Sequence, residues 1–490
     1  MNKQHGTETN RYDYDVSQKD RRNSDSRECS PHAVPLQGIP LYQGEGNNQE
    51  GLKRFVVQGY KDVWAAILYI LCILATIGLG IYNIMRKDSS MKDVESTNTT
   101  AENEPSNSKS LWSVYFLVGV AAAASIGAAS VSFLLMQKFP RKTILFANIA
   151  AIIINIISAL LAYRSGYIVA SAVMMTLCAL HILWFYFARH RIPFAAELLK
   201  ASIDVLSGYK AVYLFNVMLC VGCTGLLILW ANAFMWAFRR VKWETSASFG
   251  WPLLVFLMLF LFWTSQVTTN LMHVTTAGLT ATWYFAGKEN MPKNPTLASF
   301  KRGTTTSFGS ICFGSLLVAI IRLIRWLVST AEDSEHEILR CIFLCIIGCL
   351  ESLMEYFNTY AFVHVAIYGC GYIEAAKMTW ELCKQCVFSA LFNDTLIDVT
   401  LGLLATCGSL LVGSVFGFLL KSWAAFAFGF AVSILVHLLI FSPVGSAVTT
   451  LFVCYAEVPE GLEHSSPDLY AALQRTDQNG TSNGAAPPRV

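Results

Sequence analysis

Residues 251–287 read WPLLVFLMLFLFWTSQVTTNLMHVTTAGLTATWYFAG and contain no Asp, Glu, Lys or Arg. The first half is nearly pure hydrocarbon, whereas the second half contains hydroxyl, amide and imidazole groups. As one α-helix the stretch would be about 55 Å long, because each residue adds about 1.5 Å. That length exceeds the roughly 30 Å hydrocarbon core of a bilayer. We therefore predict a membrane-spanning helix that breaks at Gly278, with Trp283 and Tyr284 near the membrane surface.

The rest of the chain has a similar composition. Of the 490 residues, 54% are hydrophobic and 14% are charged, whereas soluble domains are about 25% charged. This composition argues against a soluble enzyme, and the net charge of +3 gives no sign of a nucleic-acid partner. A membrane-spanning helix needs about 20 apolar residues. Ten such runs lie near Val63–Met85, Val114–Leu135, Ile144–Ala162, Ile168–Phe187, Val212–Ala237, Leu253–Val274, Phe308–Val328, Ile342–His364, Ile397–Leu420 and Phe426–Phe441. The sequence predicts an all-α, polytopic membrane protein with about ten transmembrane helices.

The polar segments predict the domain organisation. Residues 1–55 are polar and mixed in charge, and we expect a disordered cytosolic tail there. Residues 56–456 form the predicted ten-helix membrane domain, and residues 457–490 form a second cytosolic tail, mostly disordered. Lys and Arg are more numerous in the loops that this orientation places in the cytosol. The same orientation places Asn98, the first residue of an Asn-Thr-Thr glycosylation acceptor, outside the cell.

A polar stripe follows the second half of the sixth run. Trp263, Gln266, Asn270 and His273 are spaced by three, four and three residues, so they share one helical face. Polar groups inside a membrane span are costly, which makes each of them a functional hypothesis. Hydrogen bonding between helices is an equally good interpretation of the two amides. For Trp283, an aromatic belt at the membrane surface is favoured over a binding role.

The eighth run contains two carboxylates, Glu351 and Glu355, one helical turn apart. Tyr356 and Tyr360 occupy an adjoining stripe. Lys and Arg are scarce in the middle of the predicted spans, so an internal salt bridge is not the expected partner. The pair predicts a site or a path for a cation or a proton. Structural pairing with His273 is the alternative.

Carboxylates beside aromatic rings favour an organic cation. A quaternary ammonium donates no hydrogen bond, so aromatic faces and a nearby anion hold it. A metal ion would need more oxygen ligands, and neither a metal nor another cofactor is expected. The predicted substrate-binding residues are Trp263, Gln266, Asn270, Trp283, Glu351, Glu355, Tyr356 and Tyr360. The candidates for proton coupling are Glu351, Glu355 and His273.

Small residues in the sixth and seventh runs allow helices to approach closely. Gly309, Ser310 and Gly314 line one stretch of the seventh run, and Ser310 and Gly314 form a small-xxx-small pair. These residues, together with Gly278, are predicted to serve as packing contacts or as a hinge.

Two longer motifs resemble the choline transporter-like family. Residues 299–320 read SFKRGTTTSFGSICFGSLLVAI, which is similar to that family's signature, and residues 358–369 read NTYAFVHVAIYG, which is similar to its next hallmark. The resemblance implies ten helices, cytosolic termini, a glycosylated outer loop and uptake of choline or ethanolamine, in some members in exchange for protons. Residues 358–360 depart from the more basic Asn-Arg-Asn run of animal members, which leaves the exact substrate open.

The sequence therefore predicts a plasma-membrane transporter that moves choline or a related small organic cation by alternating access. Its partners are the cation and the lipid bilayer. A cation channel and a transporter of another organic solute stay open as alternatives. A membrane enzyme acting on lipid head groups is a third alternative, for which Asp394 and Asp398 are the one suitable carboxylate pair, but they have no neighbouring histidines. We expect no enzymatic activity.

Overall fold

The computed structural model describes residues 59–95, 108–243, 250–330 and 337–483. These residues form helices joined by short turns, and no strand occurs among them, which confirms the predicted all-α fold. The helices are α1 Val63–Glu95, α2 Ser108–Lys138, α3 Pro140–Arg164, α4 Ile168–Ala188, α5 Ile192–Gly208, α6 Ala211–Trp243, α7 Gly250–Ala286, α8 Pro295–Thr304, α9 Phe308–Thr330, α10 Glu337–Tyr368, α11 Tyr372–Leu420, α12 Trp423–Glu457, α13 Pro459–Ser465 and α14 Pro467–Asn483. A 3-10 turn, Arg189–Arg191, joins α4 to α5.

Nine stretches of helix in the described residues are long and apolar enough to cross a membrane. They include parts or all of α1 to α4, α6, α7, α9, α11 and α12. The helix α10 is not one of the nine, so its place as a membrane span stays a prediction. Asn98 and the predicted tail over residues 1–55 lie outside the described residues.

Local signals set several helix ends. Proline is the first residue of α3, α8 and α13, where its missing N–H would have had no helical partner. Gly369 follows α10 with a φ of +61°, and Lys421 follows α11 with a φ of +48°. A residue in this left-handed conformation ends a helix because the chain turns away from the helix axis.

The helix α7 is continuous through Gly278, so the predicted break there is wrong. One glycine inside a helix costs only about 1 kcal/mol relative to alanine. Gly278 instead lies against α8, and a methyl group added to it would stand 3.0 Å from the hydroxyl of Ser299. Tyr284 is buried in protein and donates a hydrogen bond to the carbonyl of Val458 at 2.9 Å, so it does not belong to a surface belt. Trp283 is half-buried and packs against the main hydrophobic core.

The C-terminal segment differs from its prediction. Residues 459–483 form α13 and α14 rather than a mostly disordered tail. Leu462 and Leu473 are fully buried in the main core, and α14 packs against α5. Two apolar anchors on short helices explain the order, because burying a leucine contributes about 1.5–3 kcal/mol.

The small residues of α9 form tight packing contacts. Gly309 lies against the backbone of Lys61 and Asp62, and Gly314 lies against the rings of Phe362 and Tyr372. Ser310 donates a hydrogen bond to the Asp62 carboxylate at 2.7 Å. The same carboxylate accepts the backbone N–H of Tyr372 at 2.8 Å, which caps the start of α11. This part of α9 is therefore joined to both α1 and α11.

Candidate functional site

The middle of α10 contacts α7, α9, α11 and α12 through polar side chains. From Glu351 to Tyr368, successive turns of α10 direct polar groups at different neighbours. Two of the resulting groups contain the side chains that the sequence predicts for binding. They are described in the order in which they occur along α10.

Four charged side chains form an alternating chain between α9 and α10. Arg325 Nη1 lies 2.9 Å from Glu351 Oε2, and Arg322 Nε lies 2.9 Å from Glu351 Oε1. Arg322 Nη2 also donates to Glu355 Oε1. We call Arg325, Glu351, Arg322 and Glu355 the charge chain. Its two guanidinium groups balance its two carboxylates, so the expectation of no internal salt bridge is wrong.

The charge chain continues into α7 through amides. Gln266 Nε2 donates to Glu355 Oε1 at 3.1 Å. Asn270 Nδ2 lies 3.4 Å from Gln266 Oε1 and donates to Ser315 Oγ of α9 at 2.9 Å. Four predicted site residues, Gln266, Asn270, Glu351 and Glu355, are therefore brought together, with two arginines that the prediction did not include.

A second cluster joins α10 to α11 one turn farther along. Tyr360 Oη donates to Asp394 Oδ2 at 2.6 Å, and Tyr356 Oη lies 3.3 Å from Tyr360 Oη. Tyr356 and Thr449 are also within hydrogen-bonding reach of the same carboxylate. Asp398 follows Asp394 by one turn of α11, and its side chain is exposed. We call Tyr356, Tyr360, Asp394 and Asp398 the tyrosine–aspartate cluster.

The carboxyl groups of this cluster have no basic partner among the described residues. Within the stretches that the structure describes, no Lys, Arg or His contacts Asp394 or Asp398. Both carboxylates lie in the candidate membrane span Ala390–Leu420. A small pocket lies beside the cluster, lined by Tyr356, Tyr360, Leu382, Cys383, Cys386 and Ala390. The arrangement offers aromatic faces and an acidic group to a cation.

Trp263 does not lie in either cluster. It is 2% exposed, packs against Tyr69 of α1 with ring centroids 5.1 Å apart, and donates its Nε1–H to the carbonyl of Cys312 at 2.9 Å. In this conformation it holds α1, α7 and α9 together. Its spacing on the polar stripe placed it on the same face of α7 as Gln266, but a neighbouring helix covers the ring.

His273 is a buried link between three helices. Its Nε2 lies 2.9 Å from the carbonyl oxygen of Thr359, and its Nδ1 lies 2.9 Å from Ser446 Oγ. The carbonyl can only accept, so Nε2 carries a proton, whereas the Ser446 hydroxyl can donate to Nδ1 or accept from it. Neither ring nitrogen contacts Glu351 or Glu355, so the alternative of pairing with these carboxylates is wrong.

A third polar group lies at the end of α10 and was not predicted. His364 Nε2 lies 2.6 Å from Glu457 Oε1, and Tyr368 Oη donates to Glu457 Oε2 at 2.8 Å. Thr379 of α11 lies 3.0 Å from His364 Nδ1. The sequence signal was present in the motif of residues 358–369, but the partner carboxylate is 93 residues away.

The Asp394–Tyr360 contact was also missed. Sequence reasoning weighed Asp394 and Asp398 only as the carboxylates of a membrane enzyme. Three or more His, Cys, Asp or Glu residues in a metal-binding arrangement do not occur in the described part of the chain. The geometry therefore provides charge and aromatic surface rather than a metal centre.

Comparison with known proteins gives one family. A family model described as plasma-membrane choline transporter matches residues 172–460. A CTL-like protein of Dictyostelium discoideum is 34% identical over 318 residues, covering 62% of this chain and 56% of that protein. Protein PNS1 of Neurospora crassa is 31% identical over 446 residues, covering 84% of this chain and 79% of that protein. Protein PNS1 of Mycosarcoma maydis is 27% identical over 457 residues, covering 85% and 83%.

Proposed function

Because this chain belongs to the choline transporter-like family and is therefore a membrane transporter, we propose that it carries choline or a related small organic cation such as ethanolamine. The cation crosses the bilayer by alternating access within the ten-helix domain over residues 56–456. Both termini lie in the cytosol, and the membrane is the plasma membrane. The family assignment supports the substrate class, and the polar clusters of α10 support the place where it binds.

The observation that carries the proposal is the tyrosine–aspartate cluster. Each aromatic face contributes about 0.5–2 kcal/mol to holding a cation, and Tyr356 and Tyr360 offer two rings whose centroids lie 5.1 Å apart. Asp394 supplies the opposite charge beside them. A carboxylate within a membrane span faces the helix bundle or a water-filled cavity rather than lipid. The cluster thus satisfies the needs of a quaternary ammonium.

The charge chain has a different place in this proposal. Glu351 and Glu355 are already balanced by arginines, so they are weaker candidates for the counter-charge than Asp394. With Gln266 and Asn270 they line the route by which the cation reaches the tyrosine–aspartate cluster. Trp263 and Trp283 enter the site only in another conformation of the cycle.

The membrane potential can drive accumulation without ATP. A monovalent cation gains about 2.3 kcal/mol on moving inward across 100 mV, which supports a concentration ratio of roughly 50 at 1.4 kcal/mol per decade. Proton exchange is a second component of the proposal. Carboxylates of the charge chain and of the tyrosine–aspartate cluster are the groups suited to it, and His273, which is hydrogen-bonded to Thr359 and Ser446, is the other candidate.

The test is uptake of radiolabelled choline into proteoliposomes that contain the purified protein, with an imposed inside-negative potential. We expect saturable uptake that unlabelled ethanolamine inhibits and that an outward proton gradient alters. Uptake that rises linearly with concentration would favour the channel alternative. Absence of choline and ethanolamine uptake under all gradients would overturn the proposed substrate class.

A further inference from the structure

The side chains of the charge chain are partly exposed. Its side chains are 12% exposed at Glu351, 25% at Arg322, 37% at Glu355 and 51% at Arg325. Charged groups that face lipid are costly and rare. The exposed parts of these four side chains therefore meet water or lipid head groups rather than the hydrocarbon core. Ion pairs in such a place contribute little to stability, so they can break and form again during a transport cycle.

The contacts of Arg322 are asymmetric. Its guanidinium spans two carboxylates, with Nε on Glu351 and Nη2 on Glu355. Glu355 uses Oε1 for both Arg322 and Gln266, while its Oε2 accepts no hydrogen bond from the described residues. Arg322 can therefore release Glu355 and remain paired with Glu351. Glu355 then has a carboxylate free to bind another cation.

Glu355 lies near the tyrosine–aspartate cluster along the axis of α10 but on another side of the helix. Tyr360 follows Glu355 by five residues, which is about 7.5 Å along the axis and about 140° around it. Glu355 faces α7 and α9, whereas Tyr360 faces α11. Arg322 is the positive group that occupies the carboxylate before the substrate arrives.

We propose that Arg322 is a tethered competitor for the transported cation at Glu355. The organic cation displaces the guanidinium from Glu355, Arg322 turns wholly to Glu351, and the contact between α9 and α10 loosens on that side. Arg322 thereby sets the affinity of the entry site and couples cation binding to opening of the interface. This inference rests on the proposed function, because it requires a cationic substrate.

The experiment is a double-mutant cycle of Arg322→Gln and Glu355→Gln, assayed by choline uptake into proteoliposomes. Arg322→Gln removes the competitor and is expected to lower KM about fivefold. This change corresponds to about 1 kcal/mol, which is the free energy that a partly exposed ion pair contributes. Glu355→Gln is expected to raise KM. In the Glu355→Gln background, Arg322→Gln should change KM less than twofold, because the carboxylate for which the two cations compete is gone.

Arg325→Gln is the matched control. Arg325 lies one turn farther along α9 than Arg322 and contacts Glu351 but not Glu355. The substitution removes the same charge as Arg322→Gln. We expect less than a twofold change in KM. Equal effects of Arg322→Gln and Arg325→Gln on KM, or additive effects in the cycle, would overturn the inference. They would mean that both arginines act on the cation through their positive charge in general and not through a contact with Glu355.

Protein quality and the basic activity are read separately. Each variant is checked by size-exclusion chromatography in detergent before reconstitution. If Arg322→Gln does not fold, Arg322→Lys replaces it. Lysine keeps the charge but loses the guanidinium fork, which here reaches Glu351 through Nε and Glu355 through Nη2, so KM should again fall. A folded variant with the wild-type KM overturns the inference alone. A wild-type protein without saturable uptake overturns the proposed function, and this inference with it.

Discussion

Replacing Asp394 with asparagine should weaken choline binding about 30- to 100-fold. The change keeps the size of the side chain and removes the negative charge. Asp394 Oδ2 lies 2.6 Å from Tyr360 Oη, so the carboxylate stands at the edge of the ring. A cation over that ring, within about 6 Å of its centroid, is about 5–7 Å from the carboxylate.

The magnitude follows from Coulomb's law. At 6 Å and an effective dielectric constant of about 20, opposite unit charges attract by about 3 kcal/mol. At 1.4 kcal/mol per decade this is about 100-fold in affinity. The lower figure of 30-fold allows for the amide dipole that remains in the variant. The charge of Asp398 is unchanged by the substitution and lies one helical turn farther along α11.

The assay is choline uptake in proteoliposomes over a concentration range that extends 100-fold above the wild-type KM. Glu381→Gln is the matched control, because Glu381 is on the same helix and pairs with Lys384 at the surface. It should leave KM unchanged. Tyr360→Phe keeps the ring and should raise KM less than Asp394→Asn. Two results together would refute this site: a wild-type KM in Asp394→Asn and loss of saturable uptake in Glu355→Gln. They would indicate that the cation binds at the charge chain instead.

Three further predictions concern stability, proton coupling and orientation. His273→Gln is expected to lower the free energy of unfolding in detergent by about 1–3 kcal/mol, because buried hydrogen-bond partners lose their contacts. The pH profile of uptake should keep its shape, and a shifted profile would show that His273 titrates during transport. Gly314→Ala places a methyl group against two aromatic rings of α10 and α11. It should lower the free energy of unfolding by about 1–3 kcal/mol. The matched change Gly402→Ala meets nothing within 4 Å and should not destabilise the protein, so equal melting temperatures would contradict this packing. Asn98→Gln should abolish an endoglycosidase-sensitive mobility shift in eukaryotic cells, and a wild-type protein without such a shift would remove the support for an external first loop.

The helices were predictable and most polar contacts were not. Length and composition of the apolar runs are sufficient to predict membrane spans. In lipid, the backbone N–H and C=O groups must form their hydrogen bonds within the helix itself. The stripe of Gln266 and Asn270 was also predictable, since helical spacing places them on one face. Nothing in the sequence shows that Arg322 faces Glu351, 29 residues away.

Two errors have the same physical origin. Gly278 was predicted to break α7 because the helix seemed too long for one span, but tertiary contact with α8 outweighs the small cost of a glycine. Asp394 was not predicted as a counter-charge because its partner, Tyr360, lies on another helix. Local patterns predict elements, whereas pairings between elements depend on how they pack.

The packing between helices differs in a way that identifies the moving interface. Gly408, Gly413 and Gly417 of α11 lie directly against α12, where a methyl group on any of them would meet a ring or the backbone at close range. Interlocked surfaces of this kind do not slide without a clash, so α11 and α12 move as one body. The contact of α9 with α10 near Arg322 is instead made of ion pairs between partly exposed side chains. In the proposed alternating access, we therefore expect α9 to separate from α10 at the charge chain. The cation that displaces Arg322 from Glu355 would supply the free-energy difference between the closed and the open interface.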